Sequence, residues 1–258
     1  MAKKIAVALH KGGVGKTTTA KNVAAALALR GKRTLLVDLD EQANLTKGLG
    51  VNPLALQATL NDLFADPNRD PTSVLLATML EGLHLMPGHP NLAKTETGMA
   101  LQRADPNAPD PIGSLKLLLE PLEGYYDFIV FDTPPSINYM TINALAAADE
   151  MLIPAAANAY SEDGLARTWE AYERARNGYN PALKTPRILI TRVKHTNASG
   201  MVQEGISKTY VDSVMQPIIV ESTVVDEAEQ LNQPVVLYDP SSPASLGYIK
   251  VAEILANE

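Results

Sequence analysis

Residues 5–9, Ile-Ala-Val-Ala-Leu, read as a strand, and they run directly into His10-Lys11-Gly12-Gly13-Val14-Gly15-Lys16-Thr17-Thr18, after which apolar residues recur at a helical period. A strand, a glycine-rich turn and a helix in that order make a phosphate cradle, which ties the chain to an open α/β sheet and to a nucleoside triphosphate. Gly12, Gly13 and Gly15 let the backbone turn tightly and aim N–H groups at phosphate oxygens, and the helix that starts near Lys16 adds the positive end of its dipole. Lys16 supplies a point charge to the outer phosphates, and the Thr17 hydroxyl is placed to ligate Mg2+. The expected nucleotide-binding stretch is therefore Lys11, Gly12, Gly13, Val14, Gly15, Lys16, Thr17 and Thr18.

The loop departs from G-x-x-x-x-G-K-[ST] because Lys11 stands where the first glycine is usual. Two roles are open to this second lysine. It folds back on its own phosphates, or it reaches a nucleotide held by another subunit and stabilises charge there as an arginine finger does.

Apolar strand-like runs alternate with helical periods along the remaining sequence, the pattern of a mostly parallel sheet with crossover helices on both faces. Strands are expected at 4–9, 34–38, 83–86, 128–132, 151–154, 187–191 and 216–220, and helices at 17–29, 137–147, 162–177, 201–214, 223–231 and 244–255. Residues 52–111 carry clustered Pro, Asp and Asn, and read as short helices and surface loops. No repeat, low-complexity tract or linker interrupts the pattern, so 1–258 reads as a single doubly wound P-loop domain, within reach of one core at this length. There is no cysteine, which excludes a disulfide framework, a thiolate-bound metal and an iron–sulfur cluster. Every apolar stretch is broken by charge, Gly or Pro before roughly 18 residues, and the chain leads straight into its first strand rather than a signal peptide. A cytoplasmic protein without stable membrane insertion is expected. The formal net charge of −7 argues against a uniformly basic nucleic-acid-coating surface, while leaving room for a local patch.

Two carboxylate-bearing segments belong with the loop. In Leu35-Leu36-Val37-Asp38-Leu39-Asp40 a buried-looking strand runs into two aspartates one residue apart, and strand alternation puts Asp38 and Asp40 on one side. One would approach the metal shell while the other positions an attacking water. In Phe128-Ile129-Val130-Phe131-Asp132-Thr133-Pro134-Pro135 an apolar run ends in an aspartate, as a Walker B strand does. Asp132 would hold Mg2+ through a water, and the two prolines stiffen the loop beyond it. Thr17 and Asp132 are the expected metal residues and Lys16 an expected catalytic one, with Asp38 and Asp40 sharing the metal and water roles between them. A GTPase would offer N/T-K-x-D near a late strand, whereas this chain has Thr191-Arg192-Val193-Lys194-His195-Thr196-Asn197, so the base is expected to be adenine. Asn197 and the backbone near Pro217 are candidate base contacts, and His195 reads as a surface histidine.

These motifs, with Gln42, Asn44-Leu45-Thr46, Asn143-Ala144-Leu145, Ala148-Asp149, Ile153-Pro154, Gly164-Leu165 and Tyr238-Asp239-Pro240-Ser241-Ser242, make nearly the whole chain resemble the ParA/MinD family of deviant Walker ATPases, most of all its small ParA (Soj)-type branch. The resemblance implies an ATP-bound homodimer in which Lys11 of each subunit contacts the other's phosphates, hydrolysis supported by Asp40, and Asp38 and Asp132 near the metal. It also implies DNA binding without sequence preference and a ParB-like adaptor that stimulates hydrolysis. The family's large plasmid members carry an N-terminal DNA-reading domain; with its first strand at the start, none is expected here.

One departure bears on DNA. No Lys or Arg lies between Tyr210 and Ile249, where relatives carry basic residues, so the candidate phosphate-tracking patch is Lys184, Arg187, Arg192, Lys194, Lys208 and Lys250. Two other functions stay open: a MinD-like membrane switch, which needs a terminal amphipathic anchor, and a small-molecule ATP-dependent ligase or kinase, which needs a substrate pocket beside the γ-phosphate. The acidic-tipped ending 248–258 reads as packing on the sheet.

Overall fold

The computed structural model describes residues 1–157 and 161–257. Among the described residues seven strands form one sheet: β1 (Lys3–Val7), β2 (Thr34–Asp38), β3 (Leu76–Ala77), β4 (Leu83–Met86), β5 (Phe128–Asp132), β6 (Glu150–Ala156) and β7 (Arg187–Thr191). Their order is β3-β4-β2-β5-β1-β6-β7, parallel throughout except for the edge pair β3–β4. β2 and β5 are buried at every position, which is why they read as unbroken apolar runs rather than as alternation.

The helices are α1 (Lys16–Leu29), α2 (Asn44–Lys47), α3 (Leu60–Ala65), α4 (Leu92–Ala104), α5 (Ser114–Leu119), α6 (Tyr139–Ala147), α7 (Ser161–Gly178), α8 (Asn197–Thr209), α9 (Thr223–Gln230), α10 (Val235–Tyr238) and α11 (Pro243–Ala256). They cover both faces of the sheet, giving two apolar clusters. One collects Val37, Ile129, Phe131 and Ile153 with Leu115, Leu119 and Leu165; the other collects Ile5, Val7, Leu36 and Val130 with Val23, Leu27 and Val251. α1 lies between the sheet and α11, so it is buried nearly all round, and its Ala24-Ala25-Ala26 run suits that close double contact. α11 buries Tyr248, Val251, Ala252 and Leu255 against α1, in the apolar cluster that also holds Ile5, Val7 and Leu36 of the sheet, and Lys3 Nζ of β1 donates to Leu255 O at 3.0 Å. Among the described residues no helix is long and apolar enough to cross a membrane.

Three expectations are corrected. Residues 216–220 do not form a strand; they lie beside the end of β7, joined to it through Ile219 N–H to Ile190 O at 2.8 Å, with an isolated bridge from Val220 to Val193 just beyond it. Pro217 has no N–H to give, so a continuous ladder cannot form across this stretch. Residues 52–111 hold more order than short helices and loops, because α4 runs for 13 residues. Only Leu92 and Met99 of α4 are buried, too thin an apolar stripe to show in the sequence. α8 also starts earlier than expected, at Asn197, because Thr196 caps it by accepting the Ser199 N–H.

Candidate functional site

Sheet register assembles the site. β5 lies between β1 and β2, pairing Asp132 with Val7 on one side and with Asp38 on the other, all at the carboxyl edge where open α/β sheets bind ligands. The Thr133 hydroxyl donates to Val7 O at 2.9 Å, locking the end of β5 to the strand that enters the phosphate loop.

In that loop Gly13 and Gly15 have φ of +71° and +88°, left-handed values that a side chain would strain. Gly12 carries no such constraint, and a Cβ built on it meets nothing within 4 Å. Gly15 caps α1 without a side-chain bond, leaving the first N–H groups of the helix for an anion. Val14 is buried and its carbonyl accepts the Thr191 hydroxyl, which ties the loop to β7. Lys16 is buried, and its Nζ donates to the loop's own Lys11 carbonyl at 2.6 Å. Burial lowers its pKa, while Asp132 and Asp40 oppose that by favouring the ammonium.

The three aspartates differ sharply. Asp132 is 1% exposed, and neither carboxylate oxygen has a donor in hydrogen-bonding geometry. Burial first, and then Asp38, push its pKa well above the usual carboxylate range; the nearby Thr17 hydroxyl and Lys16 act the other way. A buried carboxylate left without donors beside a lysine and a threonine hydroxyl is a group that a hydrated divalent cation would satisfy. Asp38 is fully buried, but its oxygens are occupied: Oδ2 accepts the Thr46 N–H at 2.9 Å and the Thr46 hydroxyl at 2.7 Å, and Oδ1 accepts the Asp40 N–H at 3.2 Å. Burial outweighs these bonds and pushes its pKa up to about 6. β2 ends at Asp38, so Asp40 is brought to the site by a turn rather than by strand alternation, and its Oδ1 accepts the Gln42 N–H at 3.0 Å.

Thr46 and Gly88 complete this arrangement, and the residue patterns assigned a role to neither. The Thr46 hydroxyl accepts the Gly88 N–H at 3.0 Å while donating to Asp38. A Cβ on Gly88 would stand 2.8 Å from Asp38 Cγ, so the turn after β4 can close on the aspartate only without a side chain. Thr46 is within the matched string 44–46, whereas nothing local marks Gly88.

A cleft of about 240 Å³ opens beside the loop, lined by Gly15, Thr18, Thr191, Arg192, Glu221 and Ser222 among others. Ile219 and Val220, close to Pro217, also line it, whereas Asn197 does not. The basic residues expected to form one patch are divided. Arg192 donates to Gly13 O and pairs with Glu221, and Lys194 pairs with the same Glu221. Lys184 and Arg187 lie at the opposite end of β7, about 17 Å away for five extended residues, around the buried Glu150. Lys208 and Lys250 pair with Glu204 and Glu253 on their own helices. His195 is exposed, as expected.

Comparison with known proteins agrees with this geometry. A family model described as an AAA domain matches residues 2–185. The sporulation initiation inhibitor protein Soj of Bacillus subtilis is 35% identical over 259 residues, covering all of both chains. The chromosome-partitioning ATPase Soj of Thermus thermophilus is 35% identical, covering 97% of this chain and 94% of that one. Among solved structures, a cobyrinic acid a,c-diamide synthase from Mycobacterium smegmatis with bound ADP and magnesium superposes with a TM-score of 0.84 at 29% identity, covering 99% of this chain and 94% of that one. With the phosphate loop, the paired strand-end aspartates and full-length similarity in hand, the chain belongs to the ParA/MinD family of P-loop ATPases, in its Soj-type branch.

Proposed function

We propose that this ATPase is a dimerising switch that partitions or positions DNA, or another large cargo, using ATP and Mg2+. The observation that carries the reading is the buried carboxylate of Asp132, with no hydrogen bond of good geometry, beside Lys16 and the Thr17 hydroxyl at the mouth of the phosphate loop. Thr17 and Asp132 are the residues suited to hold Mg2+. Asp38, its lone pairs largely taken by Thr46 and Asp40, serves better as the strut beneath Asp40. When bound, the ion neutralises phosphate charge. The N–H groups at the start of α1 cradle the phosphates, and Lys16 exchanges its bond to Lys11 O for a phosphate oxygen. Asp40 orients the attacking water. Lys11, at the loop's outer edge, reaches the phosphates of a second subunit, and Gly12 permits the approach.

Ligase or kinase chemistry needs a pocket beside the γ-phosphate. The cleft between Asp40 and the Pro134–Pro135 loop measures about 230 Å³, below the roughly 300–1,000 Å³ usual for small-molecule sites. That favours water as the acceptor. The chromosome-partitioning names of the relatives support a chromosomal cargo; a ParB-like adaptor and a cytoplasmic, nucleoid-associated location belong to the same proposal.

The test is fluorescence anisotropy on two unrelated duplexes, with and without ATP and Mg2+, at low and moderate salt. Binding that requires ATP, ignores sequence and weakens steeply with salt is expected, because a dimer doubles sparse cationic contacts. Absence of ATP-dependent binding at low salt moves the cargo to a surface other than DNA.

A further inference from the structure

Residues 133–138 join Asp132 to the start of α6 and form one wall of the cleft whose other wall is Asp40 and Gln42. The loop is pinned at both ends. At its beginning the Thr133 hydroxyl holds Val7 O. At its end a carboxylate from a distant helix does the holding: Glu96 of α4 accepts the Tyr139 N–H on Oε1 at 2.8 Å and the Met140 N–H on Oε2 at 3.2 Å. These are the first two amides of α6, and the third, Thr141 N–H, goes to the Asn138 side chain at 3.0 Å. The Thr141 hydroxyl in turn donates to Ser136 O at 2.7 Å, drawing the loop's last residues onto the same helix end.

Glu96 itself is part of the cleft wall facing Asp40. A negative group at a helix N-terminus satisfies orphan N–H groups and complements the dipole, and two-oxygen acceptance fixes direction as well as distance. With Pro134 and Pro135 restricting φ between the pins, the loop's place is set by the two ends.

We propose that Glu96 is a positioning residue for ATP hydrolysis, holding the 133–138 loop at the distance from Asp40 that confines the attacking water. The proposal rests on the ATPase reading. It touches neither nucleotide nor metal, so it should act on turnover and not on nucleotide affinity.

The experiment compares wild type with Glu96→Ala, Glu96→Gln and Glu96→Asp in steady-state ATP hydrolysis, ATP titration calorimetry and hydrogen–deuterium exchange. Glu96→Ala should lower kcat about tenfold, within the range that misplacing a catalytic group by about 1 Å produces. ATP Kd should stay within about twofold, because the phosphate loop is untouched. Exchange should quicken at Tyr139 and Met140 and stay unchanged in α1. Glu96→Gln keeps one acceptor oxygen and should recover part of the rate; Glu96→Asp is too short and should not. A wild-type rate in Glu96→Ala despite faster exchange at Tyr139 and Met140 overturns the positioning role, and so does unchanged exchange there. A lost rate accompanied by faster exchange in α1 shows a purely structural role and also overturns it. Failure of the wild type itself to hydrolyse ATP overturns the ATPase reading, an outcome distinct from any specific to the variants.

Discussion

Thr46→Val keeps the shape of a fully buried side chain and removes one oxygen that serves two partners. That oxygen donates to Asp38 Oδ2 at 2.7 Å and accepts the Gly88 N–H at 3.0 Å. A hydrogen bond to a charged group contributes about 1.5–3 kcal/mol and an orphaned buried N–H costs about 1–3 kcal/mol, so the substitution should destabilise by roughly 3–5 kcal/mol. For a chain of this size about 2–4 °C accompanies each kcal/mol, giving a melting decrease of roughly 6–20 °C.

The penalty carries a pH signature. Burial already raises the Asp38 pKa to about 6 and Thr46 works against that rise, so losing the hydroxyl moves the pKa further up. The bond matters to the charged form; its share of the stability difference should therefore be fully present above the variant's raised pKa, shrink as pH falls from there toward about 6, and be lost below that, leaving the cost of the orphaned Gly88 N–H. Circular dichroism melts of nucleotide-free protein at roughly pH 5 and pH 8 read both effects. A melting shift below about 2 °C, or a penalty that grows on acidification, would falsify the idea that Thr46 holds an ionised Asp38 in place.

Three further outcomes test the site. Lys16→Ala should lose ATP affinity, while Lys11→Ala should bind ATP and fail to form a productive dimer; equal losses by titration calorimetry would remove the cross-subunit role. Asp40→Ala should bind ATP and dimerise yet hydrolyse it poorly, by roughly 100-fold or more if its water-orienting role dominates, and light scattering with a phosphate-release assay separates these properties. Gly12→Val should melt like wild type and block ATP-dependent dimers, because Gly12 has open space and no left-handed φ, whereas Gly15→Ala should damage ATP binding itself by straining a φ of +88°; a normal Gly12→Val dimer on size exclusion would contradict the face-to-face arrangement.

What the sequence determined by itself is the chemistry carried by short spacings. Gly13 and Gly15 must be glycine because of their own φ, Lys16 and Thr17 follow from the helix that begins there, and Asp132 ends an apolar run long enough to be a central strand. Six of the seven expected strands and the parallel sheet follow from periods that neighbouring residues impose on one another.

Tertiary structure decided whatever depends on partners far along the chain. Asp38 and Asp132 look alike as strand-end aspartates, yet one meets Thr46 and Gly88 and the other has no hydrogen bond of good geometry, a difference set by how α2 and the turn at 87–88 close over the sheet edge. The cations 184, 187, 192 and 194 are neighbours in sequence but lie at opposite ends of β7, where Glu150 and Glu221 divide them. Residues 216–220 have strand-like composition, and Pro217 breaks the ladder only because β7 is the strand offered to them. Glu96 is one acidic residue in a weakly patterned helix until α4 crosses the end of α6 and gives it two amides to hold. Backbone conformation and helix starts are short-range effects written into adjacent residues, whereas hydrogen-bond partners and buried charges exist only once the chain has closed on itself.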